Sequence, residues 1–229
     1  MLKILTYIYS TLAWAYILLF FCLAPLFALP FSLIFGLKRS FRFFFKIYIR
    51  SGMAIFGFTT TVSGLENIPG GKNVILVSNH PSFFDPILLN NALPGFYNFI
   101  VYATMLYTPL TIFAIRFLGL VVRLYGNFLS GSKAIINAAK AINEGDSFIL
   151  FPTEFIVPEG NIDKIRPGVY KIIEDTSAVI LPVCIKCGMK FTFLQKPFRS
   201  NVIIGKPLDR QRVLYDKDAV IKQAVESLG

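Results

Sequence analysis

Between Ile4 and Leu37 the chain carries no charged residue, a run of 34 positions. A single membrane span needs roughly 20 apolar residues, so this segment alone decides that the chain is not an ordinary water-soluble globule from end to end. One helix of that length would measure about 51 Å against a hydrocarbon layer of about 30 Å, and Pro25 and Pro30 fall within it. Two arrangements are open: one span with a bent end, or a helical hairpin dipping into one leaflet. The run exceeds the roughly 7–15 residues of a secretory signal core, and no small-x-small site precedes a polar stretch, so the segment is read as retained. The rest of the composition agrees: 55% of the 229 residues are hydrophobic, only 16% are charged, and mean hydropathy is +0.61. Collagen-like, disulfide-scaffold and disordered classes are excluded, and the length fits one domain with attachments or at most two small ones.

Charge adds direction. Of the net +10, six charges come from Lys3, Lys38, Arg39, Arg42, Lys46 and Arg50, with no acidic residue before Glu66. A nucleic-acid binder would carry a basic stripe on a soluble domain; here the surplus flanks a hydrophobic segment, which argues against nucleic acid and for anionic lipid. Lys38, Arg42, Lys46 and Arg50 recur every four residues, while Phe41, Phe44, Phe45 and Tyr48 occupy another helical side. This pattern predicts a helix over residues 38–58 that lies in the membrane interface on the cytoplasmic side, its cations on headgroups and its rings in the acyl boundary. The alternative is a helix packed on the folded domain. The chain has one histidine and three cysteines, too few for a zinc cluster, and Cys184-Ile-Lys-Cys187 continues a strand pattern, which speaks against a redox motif.

From residue 59 the texture changes to short apolar runs separated by turns and helical stretches. Strands are predicted at Thr59–Val62, Val74–Val77, Phe148–Phe151, Val179–Ile185 and Asn201–Ile204, and helices at Ser132–Asn143 and Lys217–Leu228. The expected organisation is a membrane anchor at 1–37, a basic-aromatic helix at 38–58, and an α/β domain at 59–229 with a mixed, largely parallel central sheet flanked by helices.

The chemistry concentrates in Val74-Ile-Leu-Val-Ser-Asn-His-Pro-Ser-Phe-Phe-Asp-Pro86. A buried strand ends at Asn79 and the single histidine follows, where an α/β sheet exposes side chains to a ligand crevice. Pro81 and Ser82 suit the first turn of a helix, which would let the Asp85 carboxylate fold back on the His80 imidazole as a general-base dyad. A buried histidine beside a helix-capping Asp is the competing reading. No Gly-x-Ser-x-Gly elbow supports Ser82 as a nucleophile.

Asn79-His-Pro-Ser-Phe-Phe-Asp85, with the lead-in Val62-Ser-Gly-Leu-Glu-Asn-Ile-Pro69, resembles the His-x4-Asp block of the glycerolipid acyltransferase family, to which the bacterial 1-acyl-sn-glycerol-3-phosphate acyltransferases belong. The likeness runs more thinly from about Thr59 to Pro207. Leu118-Gly-Leu-Val-Val-Arg123 resembles the second block, whose arginine meets the acceptor phosphate, although Arg123 comes about two residues early. The third block, Phe-Pro-Glu-Gly in the family, is here Phe151-Pro-Thr-Glu154, with the glutamate one position late and the glycine missing; Arg166-Pro-Gly168 falls where the family places a basic residue before a glycine. Pro158-Glu-Gly160 has matching letters but stands too close to Gly168. Val179-Ile-Leu-Pro-Val183 matches the fourth block.

The resemblance implies a membrane-bound O-acyltransferase that moves a fatty acyl group from acyl-CoA or acyl carrier protein, as co-substrate, to the free hydroxyl of a lysophospholipid, with lysophosphatidate giving phosphatidate. It implies catalysis by His80 and Asp85, substrate binding by Asn79, Ser82, Arg123, Glu154 and Arg166, and no bound cofactor or metal. The shifted Glu154 motivates one alternative, a different lysolipid acceptor; a second, from another class, is a non-catalytic lipid-binding membrane protein of the same fold, against which the retained His80 and Asp85 argue.

Overall fold

The computed structural model describes residues 2–82, 84–102, 117–123, 128–153, 156–157, 162, 164–187 and 198–228. Helix α1 (Leu2–Phe35) runs unbroken through Pro25 and Pro30, and the chain turns instead at Gly36, whose φ of +79° suits a residue without a Cβ. Helix α2 (Leu37–Ile55) then returns antiparallel along α1. Tyr9 Oη donates to the Phe56 carbonyl, Tyr16 Oη donates to the Tyr48 carbonyl, and the Tyr16 and Tyr48 rings stack at 4.2 Å. Gly52 is where this seam is tightest, since a Cβ there would stand 2.7 Å from the Tyr16 ring. Side chains are described for only part of α1, and among the described residues no helix is long and apolar enough to cross a membrane. What is seen is a helical hairpin whose outward side is apolar: Leu26, Phe27, Leu33, Ile34, Phe43 and Ile47 are all exposed.

The basic stripe of α2 is not turned outward as the interfacial reading expected. Lys38 and Arg42 both bind the Asp146 carboxylate, and Lys46 donates to the carbonyls of Leu93 and Gly95. Three of the four stripe cations thus bind an acid and loop carbonyls of the α/β domain, which is the packed-helix arrangement. Arg39 and Arg50 remain exposed.

The domain is built on a six-stranded sheet in the order β1-β8-β7-β2-β6-β3, comprising β1 (Phe58–Ser63), β2 (Val74–Ser78), β3 (Tyr97–Asn98), β6 (Ser147–Leu150), β7 (Val179–Cys187) and β8 (Phe198–Ile204). All neighbours are parallel except β7 and β8. A separate parallel pair joins β4 (Ile100–Tyr102) and β5 (Val121–Arg123). Val74–Ser78 is buried at every position, as a central parallel strand covered on both faces must be, whereas β1 at the edge alternates. One face, with Leu76, Ile149 and Leu181, receives Leu88 and Leu89 of helix α3 (Asp85–Ala92). The other, with Ile75, Phe148 and Ile180, receives Ala134, Ala138 and Ile142 of α4 (Phe128–Asn143) and Ile172 of α5 (Pro167–Glu174).

Two local expectations need correcting. The helix expected from Ser132 begins a turn earlier, at Phe128. The closing helix expected over Lys217–Leu228 is formed, as α7 (Asp218–Glu226), and a further helix, α6 (Arg210–Asp216), precedes it across Lys217, which has φ +44°; the Asp209 carboxylate caps α6 by accepting from Arg212 N at 2.8 Å. Residues 81 and 82 precede α3 rather than opening it. Cys184 is buried within β7, as the strand reading of Cys184-Ile-Lys-Cys187 expected.

Candidate active site

Strand β2 delivers the chain to the carboxyl edge of the sheet, between β7 and β6. From there it leaves through α3 on one face, while β6 leaves toward α5 on the other, and such a divergence at the carboxyl edge is where open α/β sheets bind ligands. His80 stands at the end of β2 and Phe151 at the end of β6, with imidazole and phenyl rings stacked at 3.9 Å and 18°.

The dyad expected from the sequence is formed. His80 Nδ1 lies 2.7 Å from Asp85 Oδ2, and the same oxygen accepts from the Ser82 amide at 2.8 Å. The geometry comes from a turn: Asp85 N donates to the Ser82 carbonyl at 3.1 Å, which brings the carboxylate back over the residues that precede it, and α3 starts there. Asp85 is fully buried and its Oδ1 has no hydrogen-bond partner among the described residues. Burial pushes the Asp85 carboxyl above its ordinary value, against the hydrogen bonds from His80 and the Ser82 amide and the charge of His80, which pull it down. A carboxylate accepting at Nδ1 fixes the proton there and leaves the Nε2 lone pair as the basic one. Because the His80 side chain is 13% exposed, that lone pair remains within reach of a substrate hydroxyl.

Asn79 and Ser82 are occupied locally. The Asn79 amide donates to the Ile185 carbonyl at 3.0 Å and accepts from the Ile185 amide at 2.7 Å, extending the β2–β7 pairing by one side chain. It thereby positions His80, with both ends of its amide engaged in the sheet. Ser82 is buried, and its hydroxyl accepts from the Phe84 amide at 3.3 Å.

The third block closes over the site through its backbone. Val157 N donates to the His80 carbonyl at 2.9 Å, and Arg166 N donates to the Pro152 carbonyl at 3.0 Å. Arg166 is exposed, immediately ahead of α5, one residue-to-residue bond from the loop that carries Phe151. Glu154 lies outside the described residues, as does the Pro158-Glu159-Gly160 match. Arg123 ends β5 and pairs with Tyr102 of β4 in the two-stranded sheet, apart from the sheet that carries His80 and Phe151. Nothing in the sequence pattern singled out Phe151 as the wall of the imidazole; the signal was its place at the end of a buried strand adjacent to β2. Among the described residues no group of three or more His, Cys, Asp or Glu could hold a metal.

Comparison with known proteins places this geometry. The family model described as acyltransferase matches residues 59–186, which holds the dyad, β5, Phe151 and most of β7. A 1-acyl-sn-glycerol-3-phosphate acyltransferase of Borreliella burgdorferi is 25% identical over 160 residues, covering 70% of this chain; the chain spans 62% of that relative's length. The crystal structure of the 1-acyl-sn-glycerophosphate (LPA) acyltransferase PlsC from Thermotoga maritima superposes with a TM-score of 0.77, covering 100% of this chain and 98% of that one at 22% identity, so the hairpin belongs to the shared fold as much as the sheet does. With its family model extending across more than half its length and the His-x4-Asp pair built in space, the chain belongs to the acyltransferase family.

Proposed function

We propose that the chain transfers a fatty acyl group from a thioester, on coenzyme A or acyl carrier protein, to the free hydroxyl of lysophosphatidate, giving phosphatidate. The observation that carries this reading is the 2.7 Å His80–Asp85 contact at the open edge of the sheet, in a chain similar to two acyltransferases named for that acceptor class. His80 Nε2 takes the proton from the acceptor hydroxyl as its oxygen attacks the thioester carbonyl carbon. The tetrahedral adduct collapses with cleavage of the C–S bond, and the departing thiolate receives the proton from the imidazolium. Asp85 holds the tautomer and stabilises the imidazolium between these steps. No acyl-enzyme is formed, in keeping with Ser82 being buried and engaged with Phe84. Arg123 and Arg166 meet the acceptor phosphate and Glu154 the glycerol. The membrane holds the substrate, and the exposed apolar side of the α1–α2 hairpin is the surface by which the enzyme sits on it, with the domain on the cytoplasmic face.

A second reading keeps the reaction and changes the acceptor. Thr153 follows Phe151-Pro152 where the family block has its glutamate, and a headgroup other than a phosphomonoester is the natural consequence of altering that position. The experiment is acyl transfer by the purified chain in mixed micelles, with a labelled acyl thioester and a panel of lysophospholipids, beside His80→Ala. Product from lysophosphatidate that vanishes in the variant supports the first reading; product only from another lysolipid supports the second. Lipid binding without turnover by the wild type on any acceptor would replace both with a non-catalytic lipid-binding protein.

A further inference from the structure

Arg42 is the most heavily engaged side chain of the hairpin, and what it engages is not only the hairpin's seat. Its guanidinium forks onto Asp146, Nη1 to Oδ1 at 2.6 Å and Nη2 to Oδ2 at 2.9 Å, and lies over the Phe96 ring at 4.5 Å. Its Nε donates to the Leu118 carbonyl at 2.9 Å. The next residue, Gly119, has φ +75°, which favours a residue without a Cβ, and the Lys38 side chain of α2 lies against it. Asn98 completes the node, its amide donating to both the Gly119 carbonyl at 2.9 Å and Asp146 at 3.0 Å. This turn opens β5, whose last residue is Arg123, paired with Tyr102 in the separate two-stranded sheet. A rigid, bidentate, half-buried clamp thus sits three residues upstream of a three-residue strand that has one partner strand to hold it.

We infer that Arg42 is a positioning residue for the acceptor end of the site: by clamping the Leu118–Gly119 turn it fixes β5 and so the placement of Arg123, making acceptor recognition depend on how the membrane hairpin is docked. The inference rests on the acyl-transfer reading for its kinetic form. Lys38 supplies the contrast. It binds the same Asp146 oxygen at 2.7 Å and rests its stem on Gly119, but it is half exposed and no hydrogen bond from it to the turn carbonyls is seen among the described residues, so its loss removes less of the hold on β5 than the loss of Arg42 does.

The test uses the full chain in mixed micelles with the lysophospholipid the wild type uses best. Arg42→Ala is expected to raise KM for the acceptor about tenfold with kcat within about twofold, whereas Lys38→Ala leaves KM within about twofold. Arg42→Lys, which keeps the charge and loses the fork, falls between them. Because the effect passes through Arg123, Arg42→Ala/Arg123→Ala is expected to be no worse in KM than Arg123→Ala. Equal KM shifts in Lys38→Ala and Arg42→Ala, additive shifts in the double variant, or a fall in kcat at unchanged KM would each overturn the inference. Hydrogen exchange reads the same claim without turnover: amides of residues 117–123 are expected to exchange about tenfold faster in Arg42→Ala than in Lys38→Ala. Unaltered protection there overturns it even if the wild type acylates nothing, a result that would separately remove the proposed reaction.

Discussion

Two carboxylates, one buried and one half-buried, stand at opposite ends of the same central strands, and the fold treats them in opposite ways. Asp85, at the carboxyl edge beyond β2, accepts from one imidazole and one amide through a single oxygen and leaves the other without a partner among the described residues. Asp146, just ahead of β6, accepts from Lys38, Arg42 through two nitrogens, and Asn98. Burial raises the carboxyl in both, and only Asp146 has enough cationic and hydrogen-bonding partners to reverse it, ending at about 2. The saturated acid is a joint, with nothing left to respond to. The undersupplied acid keeps its field directed at one partner, which is what a group that must steady a transient imidazolium requires.

The largest expected effect breaks the catalytic half of this contrast. His80→Ala removes the base, and kcat for acyl transfer in micelles is expected to fall about 10³-fold or more, with an unchanged melting temperature showing that the sheet edge survives. Next comes the exchange of the two acids for amides. Asp85→Asn is expected to cost about 10²–10³-fold in kcat, because the amide neither fixes the useful tautomer nor balances the imidazolium, while relieving the cost of a buried charge and leaving denaturant stability equal or slightly higher. Asp146→Asn is expected to do the reverse, losing about 2–3 kcal/mol of stability in a denaturant titration as Arg42 is left half-buried without its partner, with a far smaller loss of kcat. Parallel losses in both variants would erase the distinction.

A pH titration of stability separates them by sign. Asp146 has a folded value of about 2, below its ordinary value of 3.8, so its contribution of about 1–2 kcal/mol is fully present above the higher value and disappears as pH falls from about 4 toward 2. Asp85 is raised in the folded chain, so its ionised form costs stability and that cost fades as pH falls through its raised value. Melting curves between about pH 2 and 6 are therefore expected to become flatter on the acid side in Asp146→Asn and steeper in Asp85→Asn.

The same contrast explains what the sequence could say. The dyad was legible because every part of it is local: a buried strand, a histidine at its end and an aspartate five residues on are bound into one turn by the Ser82 carbonyl and the Asp85 amide. The helix α2 was legible as a helix and as amphipathic, but not in its orientation, because the partners of Lys38 and Arg42 lie at Asp146, more than a hundred positions away. A basic stripe reads identically whether it faces lipid phosphates or one acid across the fold. The prolines of α1 do not mark its end: the helix continues through Pro25 and Pro30, and the break comes at Gly36, which takes a positive φ. Strands β3, β4 and β5, two or three residues each, were too short to leave a period.

The smallest expected effect concerns Ser82, which sits two positions from the base in a sequence that invites a nucleophilic reading. In space its amide, not its hydroxyl, serves the dyad, by donating to the Asp85 oxygen that His80 also uses. The hydroxyl only accepts a long 3.3 Å bond from the Phe84 amide. Ser82→Ala keeps the amide and the turn, so kcat is expected to stay within about threefold of wild type and stability within about 1 kcal/mol. Ser82→Pro, which removes that amide, is expected to cut kcat by about tenfold or more, because one of the two bonds that orient the Asp85 carboxylate is gone. An inactive alanine variant would return the hydroxyl to the chemistry and with it an acyl-enzyme, detectable as label left on the chain when the thioester is supplied without acceptor.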